Sequence, residues 1–242
     1  MTTSPAPIPH RHMSHRLIVV TVCVIVAAVM AVVIVLAARN GSIGTSSSSG
    51  VTGSGVPAAQ TRTVPAFTAV DLAGGNNVTV DVGGAQTVTV HADDNLIGYV
   101  TTTVRNGTLA VGQSRGFSTT SPMSVAITVP SLDAVTLSGS GILTVAGVTA
   151  GHFTVQAPGS GRLVVTGTTT TLDATLAGTG DVRLDGLAAH DATATVSGTG
   201  RLLVNASQSL VAIVSGTGAI VYTGNPTEVT KNVTGTGAIT GQ

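Results

Sequence analysis

Apolar and polar residues alternate with a period of two along most of the second half of the chain, and the alternation is punctuated at regular intervals by Gly-(Ser/Thr)-Gly. The triplet stands at Gly139-Ser140-Gly141, Gly159-Ser160-Gly161, Gly178-Thr179-Gly180, Gly198-Thr199-Gly200, Gly216-Thr217-Gly218 and Gly235-Thr236-Gly237, with first glycines 20, 19, 20, 18 and 19 residues apart. Two positions before each triplet stand Leu137, Ala157, Leu176, Val196, Val214 and Val233; two after it stand Leu143, Leu163, Val182, Leu202, Ile220 and Ile239; four after it stand Val145, Val165, Leu184, Val204 and Tyr222. The intervening positions, Ile142, Arg162, Asp181, Arg201, Ala219 and Ala238, are mixed in character. Strand residues point alternately to opposite faces, so the regular rows face inward and the mixed row faces solvent.

A fixed period of about 20 residues is the mark of a repeat architecture. Each repeat reads as a short strand, a tight Gly-(Ser/Thr)-Gly turn, a second strand and another turn, with Gly147, Gly167, Gly186 and Gly224 recurring at the second turn and Ala206 replacing one of them. No repeat buries its own inner row. Stacking repeats in parallel, ~4.8 Å apart, joins the rows into aliphatic ladders. The pattern therefore predicts an all-β fold, a single-stranded parallel β-helix, with its glycines expected at positive φ. Residues 64–137 follow the same grammar less regularly and are expected to form irregular first coils that cap the stack. Within them Asn106-Gly107 signals a hairpin between Tyr99–Arg105 and Thr108–Val111.

One segment breaks the pattern. Leu17 to Ala38 is 22 residues without a charge, enough for a helix of ~33 Å across a hydrocarbon core of about 30 Å. The run is longer than the ~7–15 residues of a signal-peptide apolar region, although Val35-Leu36-Ala37 loosely fits a cleavage site. Arg11 and Arg16 precede it and Arg39 follows, which places the N-terminal arm in the cytoplasm. Ser46-Ser47-Ser48-Ser49-Gly50 and Gly53-Ser54-Gly55 have the composition of a flexible linker. The expected organisation is a cytoplasmic arm over 1–16, a transmembrane helix over 17–38, a linker over 39–63 and an extracytoplasmic β-helix over 64–242.

Composition narrows the function classes. Charged residues are 8% of the chain and aromatics 2%, with no Trp, which is unlike an enzyme with a polar cleft. A narrow coil accounts for the shortage of aromatics, which would not fit once per rung. Formal net charge is zero, so there is no basic footprint and no nucleic-acid partner is expected. Cys23 is the only cysteine, so no disulfide forms within the chain.

Candidate chemistry is sparse. Asp93-Asp94 is an acidic pair, but adjacent strand residues face opposite ways. His152 and His190, the latter beside Asp191, lie two repeats apart, ~10 Å in a stack, too far for one metal ion without a ligand between them. No serine has a His/Asp partner at a recognisable spacing, and the triplets lack the Lys and following helix of a phosphate loop. The column Ser140, Ser160, Thr179, Thr199, Thr217, Thr236 reads either as a hydroxyl ladder for a glycan or ice or as what a tight exposed turn accepts. Catalytic, cofactor-binding and metal-binding residues are accordingly expected to be none. Two features concern the stack itself. Arg162, Asp181 and Arg201 should form one outward charge ladder. Lys231 and Glu228, the chain's only Lys and Glu, fall in the last repeat, with Lys231 in the inward row Val135, Val155, Ala174, Ala194, Ala212. There they either cap an open edge or reflect drift of a terminal repeat.

Three stretches carry a family resemblance: Phe67-Thr68-Ala69-Val70 with Gly74 and Val78-Thr79-Val80; Asp93-Asp94-Asn95-Leu96 leading to Asn106-Gly107-Thr108-Leu109; and Met123 to Leu132 running into the first Gly-Ser-Gly. From about Val64 to Ile239 the chain resembles the head GIN domain of putative auto-transporter adhesins of bacterial envelopes. The resemblance implies a β-helix shaped like pectin lyases but without their catalytic residues, and a role in cell adhesion. It carries over no binding residues. The expected function is a membrane-anchored surface module for adhesion or envelope scaffolding, toward an envelope, glycan or host surface. The alternative is a polysaccharide-active enzyme or glycan-binding protein on a lyase-like fold.

Overall fold

A computed structural model describes residues 50–242. The first half carries β1 (Val51–Thr52), β2 (Pro57–Thr61), β3 (Ala69–Leu72), β4 (Asn77–Val82), β5 (Thr87–Asp93), a 3-10 turn at Ile97–Tyr99, β6 (Val100–Arg105), β7 (Thr108–Gln113), β8 (Phe117–Ser118) and β9 (Ser124–Val129). The second half carries β10 (Ala134–Leu137), the long strands β11 (Ile142–Ala157), β12 (Arg162–Leu176), β13 (Asp181–Val196) and β14 (Arg201–Val214), then β15 (Ala219–Thr223), β16 (Glu228–Val233) and β17 (Ala238–Gly241).

The chain winds as a parallel β-solenoid. Each of β11 to β14 runs through two sheets. Sheet A has the order β2-β5-β9-β4-β11-β12-β13-β14-β15-β17. Sheet B has the order β6-β7-β3-β10-β11-β12-β13-β14-β16. The register is the one the triplets dictate: Leu143, Leu163, Val182, Leu202, Ile220 and Ile239 pair in succession. The row is buried through Ile220. Each such Val or Leu stabilises the fold by about 1.5–3 kcal/mol. Phe153 occupies one rung of a row whose partners are Leu172, Ala192, Leu210 and Val229, so the coil accommodates one large ring among aliphatic side chains.

Three expectations are corrected. The glycines of the triplets do not adopt positive φ. They are needed because successive turns touch: a Cβ on Gly159 would lie 2.1 Å from Gly139 O, and one on Gly161 2.1 Å from Gly141 O. Positive φ belongs to the second corner, at Gly147 (78°), Gly167 (139°) and Gly224 (93°). That corner is not a turn between two strands. The strand continues through it with a register shift, between Val145 and Val148 for example, as a bulge that bends the ladder. Finally, the linker expected through Thr63 is part of the fold from residue 50 onward. Val51–Thr52 pairs with β8, and Pro57–Thr61 pairs antiparallel with β5.

The two ends of the stack differ. At the start, antiparallel pairs close it: β2 with β5, β5 with β9, and β6 with β7 through a hairpin in which Asn106 (φ 49°) and Gly107 (φ 74°) are both left-handed. At the far end the inner rows run out into solvent, with Val229 and Val233 exposed. Lys231 continues the inner row after Ala212 and is exposed, its Nζ 4.7 Å from the centroid of the Tyr222 ring. Among the described residues no helix is long and apolar enough to cross a membrane. The run Leu17–Ala38 and the arm before it lie outside the described residues.

Candidate functional site

The acidic pair divides as the strand geometry requires. Asp93 is fully buried and Asp94 exposed. Asp93 Oδ2 accepts a hydrogen bond from Thr119 Oγ1 (2.7 Å), and a Cβ on Gly53 would fall 1.9 Å from the same oxygen. The Ser121 and Thr119 hydroxyls, aided by the Gly55 amide, hold its carboxyl below the usual carboxylate range against the opposing effect of burial. Asp94 accepts from Ser54 Oγ, its amide donates to Val56 O (2.9 Å), and Asn95 Nδ2 donates to Thr52 O (2.9 Å). The pair is a clamp on residues 52–56. It offers no two carboxylates facing one substrate.

The histidines fall on sheet B and its corner. Rung spacing aligns His152, Thr171, Asp191, Ser209 and Glu228 in one outward row. His152 Nδ1 lies 2.8 Å from Thr171 Oγ1, and its Nε2 3.5 Å from Asp173 Oδ2. Asp191 Oδ2 lies 2.8 Å from His190 Nδ1, and its other oxygen accepts from Ser209 Oγ. Those two contacts, that from Ser209 first, hold Asp191 below the usual carboxylate range. A shallow groove of about 260 Å³ lies between His152, Thr171, Asp173, Asp191 and Ser209. The Ser209 hydroxyl donates to a carboxylate rather than to an imidazole, so no base stands ready to activate it, whereas the Thr171 hydroxyl lies against both His152 Nδ1 and, at 3.2 Å, the Gly151 carbonyl oxygen. Among the described residues no three His, Cys, Asp or Glu side chains are placed to hold a metal ion.

The remaining outward rows of sheet B are rich in hydroxyls. Thr136, Gln156, Thr175 and Thr195 form one row that continues to Ile213, and Ala134, Thr154, Asp173 and Thr193 another that continues to Val211. Sheet A instead carries the charge ladder on its outer face. Arg162, Asp181 and Arg201 align as the repeat predicts, with Arg162 Nε 3.3 Å from Asp181 Oδ2 and Arg183 Nη2 3.5 Å from Asp185 Oδ2. The Ser/Thr residues of the triplets are exposed in every turn.

Residues 66–226 match the model of the family described as putative auto-transporter adhesin, head GIN domain. The chain belongs to that family. Solved structures of similar fold include a putative adhesin from Bacteroides fragilis, 21% identical, with 80% of this chain and 100% of that one aligned at a TM-score of 0.66. A putative lipid binding protein from Parabacteroides distasonis is 20% identical over 79% of this chain and 99% of its own, at a TM-score of 0.53. A putative adhesin from Parabacteroides merdae is 17% identical over 79% and 98%, at 0.51. No curated protein matches the chain.

Within this head GIN domain, sequence reasoning singled out His152 and His190 but missed that Thr171, Asp173, Asp191 and Ser209 gather with His152. The signal was present in the spacing. Rungs are 20 residues apart before the bulge and 19 after it between β11 and β12, so the triplet period alone misplaces the partner of His152 by one residue and turns it to the wrong face.

Proposed function

We propose that this head GIN domain is the exposed part of a membrane-anchored module for cell adhesion or envelope scaffolding. In this reading the run Leu17–Ala38 is an uncleaved anchor, the N-terminal arm is cytoplasmic and the solenoid stands outside the membrane. One observation carries the reading: the outer face of sheet B is a continuous platform nine strands wide, roughly 38 Å at ~4.8 Å per strand, with threonines concentrated on β11 to β13 and Val211 and Ile213 outward on β14. Its side chains are placed by backbone register rather than by loops, so little ordering is needed on contact with an extended surface. The family description is consistent with this role.

A non-enzymatic role follows from the same chemistry. Asp93 is buried and the Ser209 hydroxyl donates to Asp191, so neither supplies an activated nucleophile, and the Thr171 hydroxyl beside His152 is shared with the Gly151 carbonyl. The His152–Asp173–Asp191 groove favours a second reading, a polysaccharide-active or glycan-binding surface. Turnover of pectin-like or cell-wall glycans by the full-length chain would select it.

The adhesion reading is tested on cells expressing the full-length chain. It predicts an intact N-terminus in membrane fractions, a C-terminus cleavable by external protease, and greater attachment to envelope or host surfaces than vector controls. Attachment should be lost after protease shaving. A protected C-terminus contradicts the orientation, a mature start near Ala38 contradicts the anchor, and unchanged attachment contradicts the function.

A further inference from the structure

The column of tight turns changes character at its lower end. Beneath Gly139-Ser140-Gly141 stands Gly74-Gly75-Asn76, with a Cβ on Gly141 only 2.2 Å from Asn76 O. One rung further down, where β7 crosses to β9, the loop of residues 114–123 takes the place of a triplet. An open cavity of about 360 Å³ lies between this loop and the Gly74–Asn76 turn. That is within the size range of small-molecule sites, ~300–1,000 Å³.

The lining has a distinct chemistry. Asn76 is 3% exposed. Its Oδ1 accepts from Gln113 Nε2 at 2.9 Å, which fixes the amide, while its Nδ2 has no hydrogen-bond partner within the protein. A buried donor left so costs about 1–3 kcal/mol, and in native proteins such a group is ordinarily satisfied by a ligand or an ordered water. Phe117 and Met123 add apolar surface, Thr119 and Ser121 line the cavity with hydroxyls already turned to Asp93, and no charged side chain lines it. A charged ligand would lie there unpaired, and a purely apolar one would strand the amides. A neutral molecule with several hydroxyls and one apolar face satisfies both halves: its hydroxyls meet the amides and its C–H face packs on Phe117.

We propose that this cavity binds one neutral sugar residue, with Gln113 and Asn76 as polar anchors and Phe117 as the stacking surface. The inference concerns the first-rung turn and not sheet B, so it stands whether or not the adhesion reading holds.

Met123 is the single methionine among the described residues, and its methyl group reports on the cavity. The test titrates the full-length chain, in a detergent without a sugar head group, with the methyl glycosides of glucose, galactose, mannose and N-acetylglucosamine, and with methyl glucuronide. NMR follows the methionine methyl and side-chain amide signals. At least one neutral glycoside should shift Met123 and the Asn76 amide saturably. Phe117→Ala and Gln113→Ala should each weaken binding roughly tenfold, about the effect of one lost anchor, while Thr217→Ala, in a later turn of the same column, should not. The proposal is overturned by the absence of a saturable shift with every neutral glycoside, by undiminished affinity in Phe117→Ala, or by equal affinity for the glucuronide. Attachment of cells through sheet B is unaffected by either result, which separates this test from that of the adhesion reading.

Discussion

A methyl group at Gly198 would stand 1.9 Å from the carbonyl oxygen of Gly178 in the preceding rung, whereas one at Gly151 would meet nothing within 4 Å. Gly198→Ala should therefore force neighbouring turns apart and cost about 1–3 kcal/mol. Gly151→Ala should stabilise by about 0.4–1 kcal/mol through the unfolded chain. Urea unfolding of the two variants checks the contrast, and equal effects would mean the triplets are not held by backbone approach. Titration gives a second prediction at this scale. Asp93 and Asp191 both sit below the usual carboxylate range, held there chiefly by Ser121 and by Ser209 respectively. A carboxyl whose folded pKa is depressed binds fewer protons folded than unfolded. Its contribution is complete above the unfolded value and is lost as pH falls through the folded one. The melting temperature should drop on acidification from ~pH 6 to ~pH 3, the region of carboxylate titration. The Asp93→Asn, Asp191→Asn double variant should drop less. An equal drop would place the acid sensitivity elsewhere.

Lys231 illustrates how an element ends. Its row is apolar and buried in Val135, Val155, Ala174, Ala194 and Ala212, and an ammonium in any of those rungs would be an unpaired buried charge. In β16, with no strand beyond it in the ladder, the side chain instead lies over the Tyr222 ring, a cation–π contact worth about 0.5–1 kcal/mol at an exposed site. It thus puts a charge on an edge strand in which Val229 and Val233 are exposed, the kind of device that discourages pairing with another chain. Lys231→Val with Glu228→Thr should produce concentration-dependent association in sedimentation. A double variant as monodisperse as the parent would show that these residues are ordinary drift of a terminal repeat. The elements legible in the sequence were those whose inner rows recur: the triplet spacing gave the rungs, their register and the charge ladder, and Asn106-Gly107 gave the hairpin. β2 is not legible as a strand because only Ala58 in it is partly buried, so it leaves no period-two hydrophobic trace. Backbone hydrogen bonding to β5 places it. The long strands were read as two because a glycine marks both a turn and a bulge. The candidate site was legible only as isolated residues, since the bulge shifts which of them share a row.

At the scale of the whole molecule, the solenoid converts a short repeat into two broad and chemically different faces. Sheet A carries alternating charges beside Val164 and Leu203. These pairs are solvated, worth about 0–1 kcal/mol each, and serve the stack more than a partner. Sheet B carries the threonine rows and the His152 groove, with antiparallel strands closing one end of the stack and Lys231 on the last strand at the other. The central claim is that sheet B is the adhesive face, and the most direct measurement is attachment of cells displaying the full-length chain with one face altered at a time. Thr175→Arg with Thr195→Arg changes two paired outward positions of sheet B. Val164→Arg with Leu203→Arg changes the outward side of sheet A. Equal surface display of the two variants, checked by protease accessibility, makes them comparable. The account predicts that the sheet B variant loses most of its attachment, at least about fivefold, a loss of roughly 1 kcal/mol, while the sheet A variant attaches as the parent does. Loss from the sheet A variant alone, or equal attachment by both, would contradict it.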